Sequence, residues 1–315
     1  MAFNRRSSAA RGGRAVWAGV GLAVLAVVVS ALSIVALTAN RSVPEAGATP
    51  GATQPPAAVA EQVPSEPAAA APQTVSAPTR AVAAIDVDTA VRTLASPCPE
   101  PSSIEFTSNA GATWEASATT VSSVQRITTG ADSFVALIGL AAEGCAPTYE
   151  RSFTGGAEWE PAPDELAASW FVDPANRAVV HAPAGDRAAP CATVVQLAVV
   201  DENSAALLCD DSSVHATVDA GASWLPPASV PGVAAIGVGA DGYRVAVINQ
   251  NGCVGGQLIG IGVAAAGLAL GSAGGCLPAT VGPGEAALSS ADDGTTWLWA
   301  GDALARSQDG GATWL

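Results

Sequence analysis

A hydroxyl residue, an Asp or Asn two places on, a glycine two places later and a tryptophan at the eighth position recur along this chain. The copies are Thr107–Trp114, Thr217–Trp224, Ser290–Trp297 and Ser307–Trp314, with a worn copy at Ser152–Trp159 that has Thr154 in the Asp or Asn place. They supply Asn109, Gly111 and Trp114; Gly156 and Trp159; Asp219, Gly221 and Trp224; Asp292, Gly294 and Trp297; and Asp309, Gly311 and Trp314. Of the seven tryptophans after residue 39, five occupy this slot. The pattern reads as a turn with an anchor. Hydroxyl and carboxylate oxygens close it on nearby backbone N–H groups, the glycine takes a backbone angle other residues resist, and the tryptophan buries a large ring as the next strand begins. Between the copies lie short β-rich runs, among them 133–138, 194–200, 205–208 and 243–248, separated by Gly, Asn or Asp. A helical period appears only ahead of residue 40.

The pattern Ser-x-Asp-x-Gly-x-Thr-Trp resembles the Asp box, or bacterial neuraminidase repeat, of β-propeller proteins such as sialidases, sortilin-like receptors and the photosystem II assembly factor family. The resemblance implies an all-β propeller over residues 81–315, with each box joining the third and fourth strands of a blade and serving a structural role away from the central pocket. The box starts at 107, 152, 217, 290 and 307 imply about six blades, within a range of five to seven. The spacing of 17 between the last two is too short for a whole blade, so one of them is expected to be a turn inside the final blade. With Leu315 the only residue after Trp314, the last blade is expected to borrow an outer strand from residues near 81–95.

Residues 15–39 are 25 uncharged and mostly apolar positions, enough for one membrane-spanning helix. Arg5, Arg6, Arg11 and Arg14 precede it, which sets residues 1–14 as a cytoplasmic basic tail. A cleaved signal peptide is the competing reading, but its apolar region would be shorter. Residues 40–80 are rich in Pro and Ala and poor in large apolar side chains, the composition of a disordered linker. Residues 42–315 carry eight arginines against 28 acids, a balance of −20 that excludes a nucleic-acid partner.

Cys98, Cys145, Cys191, Cys209, Cys253 and Cys276 all fall in the part placed outside the cell, where an even count reads as three disulfides. Six cysteines allow 15 connectivities; pairing in chain order, 98–145, 191–209 and 253–276, is the expectation taken forward. No CxxC occurs and the histidines are His181 and His215 alone, so no metal or other cofactor is expected.

The resemblance to sialidases raises an enzymatic alternative. Those enzymes use an arginine triad, a Tyr–Glu nucleophilic pair, an acid–base Asp and an Arg-Ile-Pro motif. The chain has no Arg-Ile-Pro; Arg92, Arg126, Arg151, Arg177, Arg187, Arg244 and Arg306 are nominal triad members, and Tyr149 and Tyr243 the available nucleophiles. A glycosidase needs two carboxylates facing one another, whereas Asp164-Glu165, Asp201-Glu202, Asp210-Asp211 and Asp292-Asp293 are neighbours in polar turns. The reading is therefore a single-pass cell-membrane protein whose extracellular propeller is a noncatalytic binding or scaffold module. It names no catalytic residue. Its partners are the lipid bilayer and an envelope protein or glycan, and a carbohydrate-active enzyme is the alternative.

Overall fold

In a computed structural model, the structure describes residues 74–239 and 242–315. The expected tail and spanning helix, and the linker up to residue 73, lie outside the described residues. Among the described residues no helix is long and apolar enough to cross a membrane.

The described chain is almost entirely β. The first sheet runs in sequence order through β1 (Arg80–Ala84), β2 (Ala90–Leu94), β3 (Pro101–Thr107), β4 (Glu115–Thr129), β5 (Val135–Ala141), β6 (Pro147–Ser152) and β7 (Glu160–Pro161). Strand β4 spans two units: residues 115–118 pair with β3, and its later part pairs with β5. A short helix, α1 (Pro163–Leu166), precedes a three-stranded sheet of β8 (Phe171–Val172), β9 (Val179–Ala182) and β10 (Gly185–Ala188). The next sheet is β11 (Val194–Val199), β12 (Ala205–Cys209), β13 (Ser213–Thr217) and β14 (Ala228–Ser229). It is followed by β15 (Val233–Gly239), β16 (Gly242–Ile248), β17 (Gly255–Ala264) and β18 (Gly267–Ala273), with β19 (Leu277–Pro278) also on β17. The last sheet is β20 (Ala286–Ser290), β21 (Thr296–Ala300) and β22 (Ala303–Ser307). All pairings are between antiparallel neighbours, the product of short turns. At β1–β2 the Asp86 carboxylate accepts from the Asp88 and Thr89 N–H groups, and at β11–β12 Asp201 does the same for Asn203 and Ser204.

The cores lie between sheets. Val245, Ile261, Leu208 and Val195 share one, Leu258, Leu288 and Leu298 another, and Trp170, Val180 and Leu207 a third. The first and last sheets share a core as well: Val82, Ala84 and Ala90 pack with Ala287 and Trp297. Long-range hydrogen bonds sew this seam, from Ala84 N–H to Ser289 Oγ at 3.0 Å and from Trp297 Nε1 to Asp86 O at 2.8 Å. Residues 81–95 are thus not the outer strand of the last sheet, as the sequence suggested. They form the inner hairpin of the first, and the last sheet ends on its own residues, Leu315 exchanging hydrogen bonds with Arg306. Burial of apolar faces joins the two ends of the described chain where a strand exchange was expected.

Strands β4, β1, β20, β15 and β11 pack side by side in that order, β1 and β20 in a common direction, with Thr79 N–H on Gly284 O and Ala84 N–H on Ser289 Oγ. Thr129 Oγ1 donates to Ala84 O at the matched ends of β4 and β1, and Ile236 N–H donates to Gln196 Oε1 between β15 and β11. Strand β8 runs against the direction of β11. Trp170, just before it, donates from Nε1 to Asp201 O beyond the end of β11, while Arg177, after it, bonds Val194 at the start of β11. The cause is local: Pro161 and Pro163 cannot donate to a ladder, and Pro163 starts α1 instead. This unit therefore has three strands.

Within β4 a bulge sets Ser123, Val124 and Gln125 against Gly139 alone, with Ser123 at φ +48°. A Cβ on Gly139 would stand 2.5 Å from Val121 Cγ1 and 2.7 Å from Ser122 O. Gly139→Ala is expected to lower unfolding stability by about 1–3 kcal/mol through overpacking. An equilibrium urea titration checks it; an unchanged midpoint would show that the bulge yields.

Candidate functional site

The recurring turns share one hydrogen-bond pattern. Thr107 Oγ1 donates to Asn109 Oδ1 and accepts from Gly111 N–H, while Thr113 N–H donates to Asn109 Oδ1 at 2.9 Å. Thr217, Asp219, Gly221 and Ser223 repeat it, as do Ser307, Asp309, Gly311 and Thr313. In the second copy Ser152 and Thr154 take the two side-chain roles and Gly156 N–H donates to Ser152 Oγ. Gly111, Gly156, Gly221 and Gly311 all have φ between +76° and +91°. The tryptophans tie neighbours together: Nε1 of Trp159 donates to Ser117 Oγ, that of Trp224 to Ala188 O and that of Trp314 to Gly275 O, whereas that of Trp114 donates to Gly111 O in its own turn.

Three of these turns join the third and fourth strands of a unit, and the one at 307–314 follows the third strand of the last sheet. Residues 290–297 are built differently. They connect the first and second strands of the last sheet, the turn inside the final unit that the spacing of 17 implied. Here Asp293, not Asp292, accepts from Thr295 N–H; Gly294 is at φ +86°, and Trp297 is fully buried. The regular sequence of this copy hides a different position because the turn chemistry is local and its place in a sheet is not.

Asp219 and Asp309 are held down to about 2, each first by a hydroxyl donor (Ser223, Thr313), then by the N–H of the same residue. Their ordinary carboxyl value is 3.8. A depressed folded value stabilises the fold above the unfolded value and is lost as pH falls. The two turns therefore contribute fully above about pH 4 and lose that contribution between about pH 4 and pH 2. Asn109 fills the same place without a proton. The double variant Asp219→Asn/Asp309→Asn should flatten this acid limb of melting temperature against pH, and an unaltered limb would assign it to other carboxylates.

Three disulfides join the six cysteines in chain order. Cys98–Cys145 links the β2–β3 and β5–β6 connections, Cys191–Cys209 ties the approach to β11 to the end of β12, and Cys253–Cys276 closes the β17 region. Among the described residues no cysteine is free, and no cluster of His, Cys, Asp or Glu could hold a metal.

The concave site is elsewhere. A cavity of about 700 Å³ lies between β1, β4, β8, β11, β15 and β20, one strand from each unit. Residues 75–79 run over the end where these strands start: Val75 N–H donates to Asp210 O and Thr79 N–H to Gly284 O, and Ala77 and Pro78 line the cavity. The last stretch of the expected linker is thus bonded to the sheets. At the other end stand Ala131, Val200 and Asp292.

Three arginines line this cavity, and Asp292 is the carboxylate among its described lining residues. Arg80 is neutralised and covered: Glu285 lies 3.5 Å away and the Trp299 ring 4.5 Å from its guanidinium carbon. Arg126 and Arg177 instead each donate to a backbone carbonyl, Trp170 O at 3.2 Å and Val194 O at 2.9 Å. Burial pushes both guanidinium groups below their ordinary value. Arg126 bridges β4 to the start of β8. Among the nominal triad members Arg126 and Arg177 reach the cavity; Arg92, Arg151, Arg187, Arg244 and Arg306 are not among its lining residues. Nor are Tyr149 and Tyr243, whose phenols burial pushes up. Of the four adjacent acid pairs, only Asp292-Asp293 contributes to the lining, through Asp292. Arg80 was missed in the sequence because it sits at the boundary drawn for the linker.

No family model matches the chain, and no curated protein does. The solved structures it is similar to are β-propellers at low identity. The WD40 β-propeller domain of Doa1 is 13% identical over 75% of this chain and 93% of that one, with a TM-score of 0.38. A Hadza microbial sialidase is 13% identical over 77% of this chain and 58% of that one, at 0.35. The GH74 xyloglucanase from Xanthomonas campestris is 19% identical over 75% of this chain, at 0.29, and the chain spans only 37% of its length.

Proposed function

We propose that the six units close into a β-propeller of the Asp-box type and that this propeller is a noncatalytic binding module on the outer face of a cell membrane. On this reading residues 15–39 are the single-pass anchor, residues 1–14 are cytoplasmic, and the ligand or partner is an envelope protein or glycan. The observation that carries the binding function is the cavity between one strand of each unit, strapped at one end by residues 75–79 and lined by arginines. Glycoside hydrolysis places two carboxylates across the scissile bond. The described lining offers Asp292 alone, which favours binding over turnover.

A photo-crosslinking residue at Thr128, in the cavity wall, tests this in living cells with the full chain. An envelope protein or glycan captured from Thr128, and not from the exposed position Val218 on the turn between β13 and β14, is the expected result. Equal capture from both positions would remove the cavity as the binding site. Turnover of a glycan panel that is lost in Asp292→Asn would replace the noncatalytic reading with an enzymatic one.

A further inference from the structure

Arg126 and Arg177 bracket the two-residue strand β8, one bonded to the residue before it and the other in the connection after it. A guanidinium has five N–H donors and keeps its charge at any physiological pH. Buried charges are ordinarily paired, because an uncompensated one is strongly unfavourable away from water. Neither arginine takes part in any of the ion pairs among the described residues. The one group that interacts electrostatically with Arg126 is the Tyr149 phenol, neutral at pH 7. Each guanidinium spends one donor on a carbonyl, and its other nitrogens are not among the buried atoms left without a partner. Those nitrogens therefore have access to the space of the cavity that both residues line.

The contrast with the rest of the molecule is sharp. Residues 42–315 carry 28 acids, yet the described cavity wall carries three arginines and one acid, and the acid stands at the far mouth. A solvated surface of the same composition would place acids beside these arginines. Around them the wall offers Ser123 and Gln125, which lie in the β4 bulge, and Thr128, in the regular part of β4 that follows.

We infer that the cavity takes a small polar ligand bearing one oxyanion, a carboxylate or phosphate, with Arg126 as its principal anchor and Arg177 as the second. The planar fork of an arginine matches two oxygens of either group. The hydroxyl and amide side chains beside it suit a hydroxylated body such as a sugar acid or sugar phosphate. This rests on the reading of the cavity as the binding site.

Titration calorimetry on the full chain in detergent tests it with glucuronate, glucose 6-phosphate and inorganic phosphate, and with glucose as the neutral probe. The expected result is saturable binding of at least one anion with no binding of glucose. That affinity should fall at least tenfold in Arg126→Gln and in Arg177→Gln, and be unchanged in Arg151→Gln, an arginine outside the cavity. Preference for glucuronate or for glucose 6-phosphate then tells carboxylate from phosphate. Arg126→Lys, which keeps the charge without the fork, should retain folding and part of the affinity. Its melting curve, with that of Arg126→Gln, separates lost binding from lost fold. No anion binding to the wild type, or equal binding in folded Arg126→Gln, overturns the inference. In that event crosslinks from Thr128 still decide the binding reading, so the two fail separately.

Discussion

Trp297→Ala is expected to lower the unfolding free energy by about 3–5 kcal/mol, the range for truncating a fully buried aromatic side chain. The ring has no exposed surface and packs where the first and last sheets meet. It meets Trp114 edge-on at 6.4 Å, Arg306 lies over it at 5.6 Å, and its Nε1–H donates to Asp86 O across 211 residues of sequence. Removing it opens a cavity and leaves a carbonyl short of its donor at the place where the two ends of the described chain join. Equilibrium urea unfolding followed by the fluorescence of the remaining tryptophans measures this. A loss below about 1 kcal/mol, the scale of a surface substitution, would show that the seam is held elsewhere. Trp224→Ala is the useful comparison, since its ring is only partly buried and its indole bond to Ala188 O is 3.3 Å.

The second large effect is expected from Cys98→Ala/Cys145→Ala. The bond closes a loop across a sequence separation of 47 and ties the two units that share β4. Loop-closure entropy for that length is about 4 kcal/mol, more than for Cys191–Cys209, whose separation is 18. Removing both sulfurs avoids a free thiol that could exchange with the other two bonds. Urea midpoints of the two double variants should fall in that order. The reverse order would mean that native-state strain, not the unfolded chain, dominates.

The recurring turn was legible because its chemistry is local. Thr217, Asp219, Gly221 and Ser223 hydrogen-bond within five residues of one another, so the pattern reports its own geometry. The same locality misleads at Ser290–Trp297, where a similar string turns between the first and second strands and Asp293 replaces Asp292 as acceptor. The chain-order disulfides were likewise within reach, because each joins segments close in sequence.

The cavity was not legible. Arg126 lies between residues of ordinary strand composition, and nothing in its neighbours marks it. Its position comes from a bulge against Gly139 and from a neighbouring unit whose strand at the cavity, β8, is only two residues long. Arg177 and Arg80 reach the same space from the β8–β9 connection and the start of β1. The sequence alone determined the β class, the turn units and the oxidised cysteines, since each depends on interactions within a few tens of residues. Only the tertiary structure decided that the first hairpin packs against the last sheet and that Arg126 and Arg177, neither of them in an ion pair, line one hollow, because both depend on how whole sheets pack against one another and not on the chemistry of any single turn.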